Sequence, residues 1–486
     1  MKLKRVLLIA LMCAFYQLSA QVNVSVGVGV EAPRMRVTGP DTNGLTENAS
    51  YTTNFVSPIV KDENYYVITE KLNTYWVKQY SIENEFIKEH KIPYENFDHT
   101  NLMGGLFNKG EMFFYFSNNS RSGFTIRSME MNTGNSKEIK ISLEFEKQNF
   151  VDFIVKGESV YLVFIEKKSS ILNFYKFEGT ENTGKHVVDL SKYKFKESKY
   201  SNKLYDILKN DKIAQISSNN ITLIEEAAKK NKTYVNQDSY FIVMDASEKN
   251  TKCIEIDLND FSFELKMFFK KGKDYKSSKK YKSNSFINNN LLFQIICSRK
   301  EMYISIFDVS TKELLKQFHV GENQDIDFNV TDFEQIKYLK KEKKKTWSET
   351  DKFLKKMKSG AVAISVFEYQ ENYYIEIGGI PNTKSKGILS EIGLENFKEN
   401  SEILPSYCKY TGLTEYSFKS ILNKNTLEFK KERTKDFKKF DEKINQLASR
   451  GYKRDNIIFR DGDKIKIYYY KEKLDKDVLE DAGLKK

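Results

Sequence analysis

Histidine is scarce in this chain: His90, His99, His186 and His319 are the only four in 486 residues. Their spacing contains no His-x-x-x-His pair and the cysteines form no Cys-x-x-Cys, so a zinc site has no local nucleus and no metal ligand is assigned. Cysteine is equally sparse, with four residues, which excludes a scaffold built on disulfides. Six prolines and 23 glycines are too few for a disordered or collagen-like chain. Gly-x-Ser-x-Gly nucleophile elbows and glycine-rich phosphate loops are also absent, so no catalytic residue and no cofactor is assigned. After the first twenty residues no long apolar run follows, which leaves no transmembrane helix in the mature chain.

Those first twenty residues have the three parts of an export signal. Lys2, Lys4 and Arg5 precede the apolar run Val6 to Phe15, which is too short to remain in a bilayer, and the small Ser19 and Ala20 follow. Cleavage between Ala20 and Gln21 is expected. Met12 stands before Cys13 where a lipoprotein signal carries a small residue, so no lipid anchor is expected. Removal of residues 1–20 leaves 466 residues, a formal charge of +9 and three cysteines. Of these, Cys253 and Cys297 lie in apolar strand-like runs, where buried free thiols and a bridge are both open, and Cys408 is the third. The expected location is the periplasm, the outer-membrane surface or the medium. An exported basic chain does not meet nucleic acid as its normal partner.

What is abundant is aromatic side chain: 29 tyrosines and 35 phenylalanines, which pack well on a pleated surface and favour strands. They recur in a pattern of short apolar run, polar turn, then longer aromatic and β-branched run. The first three copies are Ile59–Ile68, Leu106–Tyr115 and Ile154–Val163, with turn lysines Lys61, Lys109 and Lys156. Further copies are Val235–Phe241, Phe286–Leu292, Tyr369–Ile375, Leu422–Glu428 and Phe459–Ile465. Each turn carries Gly, Asn or Asp, residues that tolerate a left-handed backbone. Two more strand-like runs follow the early copies. The expectation is an all-β fold, a β-propeller-like ring of about seven four-stranded blades with helical insertions. Tandem β-sandwich domains are the alternative.

The domains expected are a leader at 1–20, a repeat domain at 21–430 with insertions near 200–232 and 331–358, and a C-terminal helix plus hairpin at 431–486 that closes or caps the repeat. Val22–Val30 could complete the last blade. Helices are expected at Leu223–Lys230, from Ser348 to about Lys358, and at Lys435–Arg450 with Thr434 as its cap. These insertions are expected on the rim.

Little else reads as chemistry. Asp325-Ile326-Asp327-Phe328-Asn329 alternates like a calcium loop, but Val330 and Ile336 stand where such a loop needs glycine and glutamate, so it reads as strand alternation. Gly104-Gly105 and Gly378-Gly379 resemble the glycine pair of kelch repeats in that dipeptide alone. Two basic runs stand out. Lys270, Lys271, Lys273, Lys276, Lys279, Lys280 and Lys282 interleave with Tyr275 and Tyr281, a pattern that can hold a polyanion such as an envelope glycan. The second runs from Lys340 to Lys358 and reads as a solvated insertion. The function expected is that of a secreted bacterial binding or scaffold protein of the cell envelope, its ligand an unknown protein or glycan. The alternative is a carbohydrate-active or other hydrolytic enzyme with acidic residues at the propeller axis.

Overall fold

Seven of the eight recurring turns join the first two strands of an antiparallel sheet, and each sheet is a blade of one ring. A computed structural model of the chain describes residues 59–482, apart from 62, 72–73, 93–100, 119, 144, 146, 196–201, 211–212, 218–219, 237, 271–280, 338–342, 382–413, 436, 440, 443–456, 463 and 472–475. The leader, the Ala20–Gln21 junction, Val22–Val30 and Cys408 lie outside the described residues.

Blade 1 comprises Ile59–Lys61, Asn64–Lys71, Thr74–Ser81 and Phe86–Ile92. Blade 2 comprises Asn101–Asn108, Glu111–Ser117, Phe124–Glu130 and Ser136–Ile141. Blade 3 comprises Gln148–Lys156, Ser159–Glu166, Ile171–Glu178 and Glu181–Asp189. Blade 4 has Asn231–Asn236, Ser239–Met244, Asn250–Asp257 and Phe263–Phe269. Blade 5 has Lys282–Asn288, Leu291–Cys297, Met302–Asp308 and Leu314–Val320. The main strands of blade 6 are Gly360–Tyr369, Asn372–Pro381 and Thr414–Asn423. Those of blade 7 are Ile457–Asp461, Lys464–Lys471 and Lys476–Asp481.

Strand composition follows position in the blade. Second strands such as Ser159–Glu166 are buried on both faces and read as continuous apolar runs, whereas fourth strands such as Glu181–Asp189 alternate exposed and covered residues. Aromatic pairs join the blades around the ring: Tyr66 stacks on Phe107 at 4.8 Å, and Phe124, Phe174, Tyr234 and Phe293 meet Phe164, Tyr240, Phe286 and Tyr373 edge-on. Tyr369 and Tyr374 of blade 6 share a core with Ile465 and Tyr469 of blade 7. The ring is closed by blades 7 and 1, where Tyr80 lies 6.1 Å from Tyr468, Tyr65 donates to Asp461 and Lys78 pairs with Asp477. The protein is an all-β, seven-bladed propeller with few short helices.

The eighth turn, Leu422–Glu428, belongs to a second recurring device between third and fourth strands. There the backbone N–H of the left-handed residue bonds back four residues, as in Phe261 to Asp257, Lys312 to Asp308 and Leu427 to Asn423. The first residue is Asp or Asn, whose side chain accepts from the turn backbone. Positive φ falls at Phe261, Lys312 and Leu427 in these turns, and at Gly134, whose N–H bonds back to Glu130 in the same way.

The first insertion leaves the rim, contrary to expectation. After the helix Leu204–Asn210, the strand Ile213–Ile216 pairs in parallel with the first strand of blade 4. Asn220 then bridges Phe459 of blade 7, Thr222 accepts a hydrogen bond from Ser365 of blade 6, and the short helix Ile224–Ala227 packs there. Only the axis lies within reach of the first strands of blades 4, 6 and 7 together. Ala214, Ile216, Ile224 and Ala227 explain the choice, because on a rim these side chains would face water, whereas here all are buried. This helix is shorter than expected, spanning four residues, and Leu223 precedes it without a side-chain cap.

The second insertion wraps its own blade. Phe333–Lys337 pairs with the Thr414–Ser417 end of the third strand of blade 6, Phe429–Lys430 pairs with its other end, and Lys343–Trp347 lies outermost. The helix Thr350–Lys358 follows as expected, with Phe353, Leu354 and Met357 buried. Thr434 accepts from the Phe437 N–H at 3.1 Å, as a cap should. Asp325 to Asn329 alternates exposed Asp325 and Asp327 with buried Ile326 and Phe328, but forms no ladder. No helix among the described residues is long and apolar enough to cross a membrane.

Candidate functional site

The axis is the natural place for a site in a ring, and here the chain fills it. Gln215 of the insertion donates to Asp152 on the first strand of blade 3. The same carboxylate accepts from Tyr240 of blade 4 at 3.0 Å and from the Phe153 N–H at 2.7 Å. Asp152 is 3% exposed, and burial pushes its carboxyl up to about 6 against the pull of these donors. A carboxyl with that value could act as a general acid or base. Its oxygens, however, face donors from the insertion and blade 4, and no second carboxylate joins this set of bonds.

A second buried network lies where the insertion enters blade 4. Asp245 accepts from the Ser285 N–H at 2.9 Å, the Ser285 hydroxyl at 2.7 Å and Thr251 at 2.7 Å, and pairs with Lys232 at 3.3 Å. Burial pushes the Asp245 carboxyl up, but Lys232, Lys270 and Lys230 outweigh it and hold the group at about 2. Burial lowers Lys232 to about 8 in spite of Asp245. Lys232 also donates to Asn284 at 2.6 Å, and Asn284 donates to Ala228 and Val362 carbonyls at 3.0 and 2.8 Å. The network thus ties blades 4, 5 and 6 to the end of the insertion. It is a fully enclosed ion pair with a structural use.

This network absorbs the first residue of the lysine run read as a polyanion site. Lys270 is buried, with its ammonium on the carbonyls of Asp245 and Ser247, so it faces inward and not toward a ligand. Tyr281 is buried and donates to Glu301, while Lys282 is exposed at the start of blade 5. Lys271, Lys273, Tyr275, Lys276, Lys279 and Lys280 lie outside the described residues. Sequence reasoning missed Asp152 and Asp245; a lone Asp inside the apolar runs Phe150–Val155 and Tyr240–Ala246 was the available signal.

The three histidines among the described residues pack, and His99 lies outside them. His186 stacks on Phe261 at 4.0 Å, His319 stacks on Tyr303 at 4.3 Å, and the His90 ring lies 3.0 Å from the Met131 carbonyl. Among the described residues no three His, Cys, Asp or Glu side chains gather to hold a metal ion. Cys253 and Cys297 are free and buried, and burial pushes the Cys297 thiol up to about 12. The glycine pairs have packing reasons: a Cβ on Gly104 would stand 2.0 Å from the Phe153 ring, and one on Gly378 would stand 2.3 Å from the Tyr416 carbonyl oxygen.

An open cleft of about 590 Å³ lies between blades 3 and 4, lined by Lys156, Ser159, Tyr161, Lys176, Asp238 and Asn259. Its cations are already engaged. Lys156 pairs with Asp238 at 2.9 Å and donates to Asn259 at 2.7 Å, and Lys176 pairs with Glu178 at 2.6 Å.

No protein-family model matches this sequence, and no curated protein sequence resembles it significantly. Among solved structures, a prolyl endopeptidase is similar over 78% of this chain at 10% identity and a TM-score of 0.34, and this chain spans 40% of its length. Prolyl oligopeptidase B from Galerina marginata is similar over 65% of this chain and 37% of its own, at 11% identity and a TM-score of 0.31. A variant of the Synechocystis apocarotenoid oxygenase is similar over 54% of this chain and 58% of its own, at 7% identity and a TM-score of 0.29. Likeness of this size bears on no activity.

Proposed function

We propose that this chain is an exported bacterial propeller that binds a protein or glycan of the cell envelope through its outer surfaces, without catalysis. The filled axis carries the reading. A ring whose centre is occupied by its own Ile213–Ala227 segment offers its blade edges and insertions to a partner, not a central pocket. The enzyme alternative needs two carboxylates facing a substrate across a cavity. Asp152 meets Gln215 and Tyr240 instead.

The test uses the processed protein beginning at Gln21. Saturable binding to an envelope fraction is expected, with no hydrolysis of chromogenic glycosides or fluorogenic peptides. Turnover that disappears in an Asp152→Asn variant would overturn the reading. Finding the uncleaved chain in the cytoplasm would remove its exported part.

A further inference from the structure

Lys282, the last residue of the first basic run, and Lys358, the last of the second, approach one another in the fold. Strand register puts Lys337 directly opposite Lys343 and Gln335 opposite Lys345, with Phe333 opposite Trp347. Since side chains alternate across a strand, Phe333, Gln335, Lys337, Lys345 and Trp347 share one face, and the helix Thr350–Lys358 lies against it. Phe333 stacks on Phe353 at 4.7 Å, and Lys356 reaches Gln335 at 3.4 Å. Lys352 and Lys356 stand over the Trp347 ring at 5.7 and 5.2 Å, and Lys356 stands over Tyr416 at 4.3 Å.

At the other end of the helix, Lys358 approaches blade 5. Its ammonium is held below the usual lysine range by burial and then by Lys282 and Arg299, while burial and then Lys352, Lys345 and Lys337 do the same to Lys356. Like charges opposite one another in a sheet are unfavourable, and this chain assembles them from three segments. Glu334, Glu349 and Asp351 pair with Lys344, Lys352 and Lys355 at 2.7, 3.8 and 3.9 Å. Lys282, Arg299, Lys337 and Lys345 are exposed and have no carboxylate partner among the described residues.

We propose that the strands Phe333–Lys337 and Lys343–Trp347, the helix Thr350–Lys358 and the adjoining edge of blade 5 form a docking surface for an acidic polysaccharide. Charge complementarity selects a polyanion. Two observations select its class. Among the described residues, none of the exposed large apolar side chains lies on this surface, so the described part of it offers no apolar side chain to a bilayer. The Trp347 and Tyr416 rings carry lysine ammonium groups over their faces, so they offer no free platform for stacked bases. The choice of a glycan also rests on the reading of the chain as an exported binder.

Heparin is the probe, titrated against the processed protein at several salt concentrations, with single-stranded DNA and phosphatidylglycerol vesicles as rivals. Heparin is expected to bind, with affinity falling as salt rises. The variants Lys337→Glu/Lys345→Glu and Lys282→Glu/Arg299→Glu should each weaken it roughly tenfold and flatten the salt dependence by about 0.7–0.9 per charge neutralised. Lys137→Glu/Lys140→Glu, on exposed positions of blade 2, changes net charge equally and should cost far less. An equal loss in that control, unchanged binding in the patch variants, or tighter binding of DNA or vesicles would each overturn the proposal. Thermal melts of all three variants establish that the fold is retained. Cytoplasmic retention in cells would sink the exported reading and leave the measured affinity standing.

Discussion

Asp152 shows how a single side chain can hold a fold together and still cost it stability. Its folded value of about 6 lies above the ordinary 3.8, so the folded protein binds the proton more tightly than the unfolded chain. The stability from that proton is complete below about 4 and is lost as pH rises through 6. The difference corresponds to about 3 kcal/mol at most. Asp152→Asn, which cannot ionise, should therefore raise stability by about 1–2 kcal/mol at pH 7 and lose that advantage by pH 4. Paired denaturant titrations across this range check it; a variant less stable at both ends would refute the linkage. Roles at this scale were poorly legible from the sequence. Lys270 opens a solvated-looking run and yet points inward, because Asp245 and Ser247 present carbonyls to it across 25 and 23 residues of chain. No local pattern encodes that meeting. His186 and His319 stack on Phe261 and Tyr303, rings that an aromatic-rich chain supplies.

Turns carry the clearest sequence signal at the level of elements. Gly134 sits at φ +77, and a Cβ there would stand 2.8 Å from Nδ1 of His90. The ring is fixed at its other nitrogen by the Met131 carbonyl. Gly134→Ala should then destabilise by about 1–3 kcal/mol, from backbone strain and the displaced ring together. A thermal melt within experimental error of the parent would contradict this. The first-turn repeat was legible because a left-handed residue restricts composition: Gly110, Gly157 and Gly462 occupy such positions. The second device escaped because Phe261, Lys312 and Leu427 hold the same conformation without being glycine. What forces them is the ladder on either side, as with the Asp308 N–H to Glu313 bond at 3.0 Å. The helix Thr350–Lys358 starts near its expected place, with Glu349 preceding it and no side-chain cap.

Blade number followed from the repeat, whereas the route of the insertion did not. Helix and strand patterns within residues 204–230 describe the segment alone, while its place depends on partners in three other blades. If the segment is an integral part of the core, its amides should exchange as slowly as those of the blades. Ile221, which donates to the Ile458 carbonyl at 3.4 Å, and Ala227 and Ala228, which donate to Leu223 and Ile224 at 3.0 and 2.9 Å, are the reporters. Hydrogen exchange followed by mass spectrometry would disprove the placement if peptides covering them exchanged at loop rates while first-strand peptides stayed protected.

The axial insertion also imposes an order of events on the newly made chain. Thr222 is synthesised 143 residues before Ser365, its partner, and Ile221 earlier still relative to Ile458. Three blades are complete before the segment appears, but its apolar side chains have no seat until the last two blades arrive. Pairings so distant in sequence are slow to form, and the unseated segment is a sticky surface while it waits. Assembly of this ring therefore ends at its centre, and a chain truncated before blade 7 would lack the last wall of the seat.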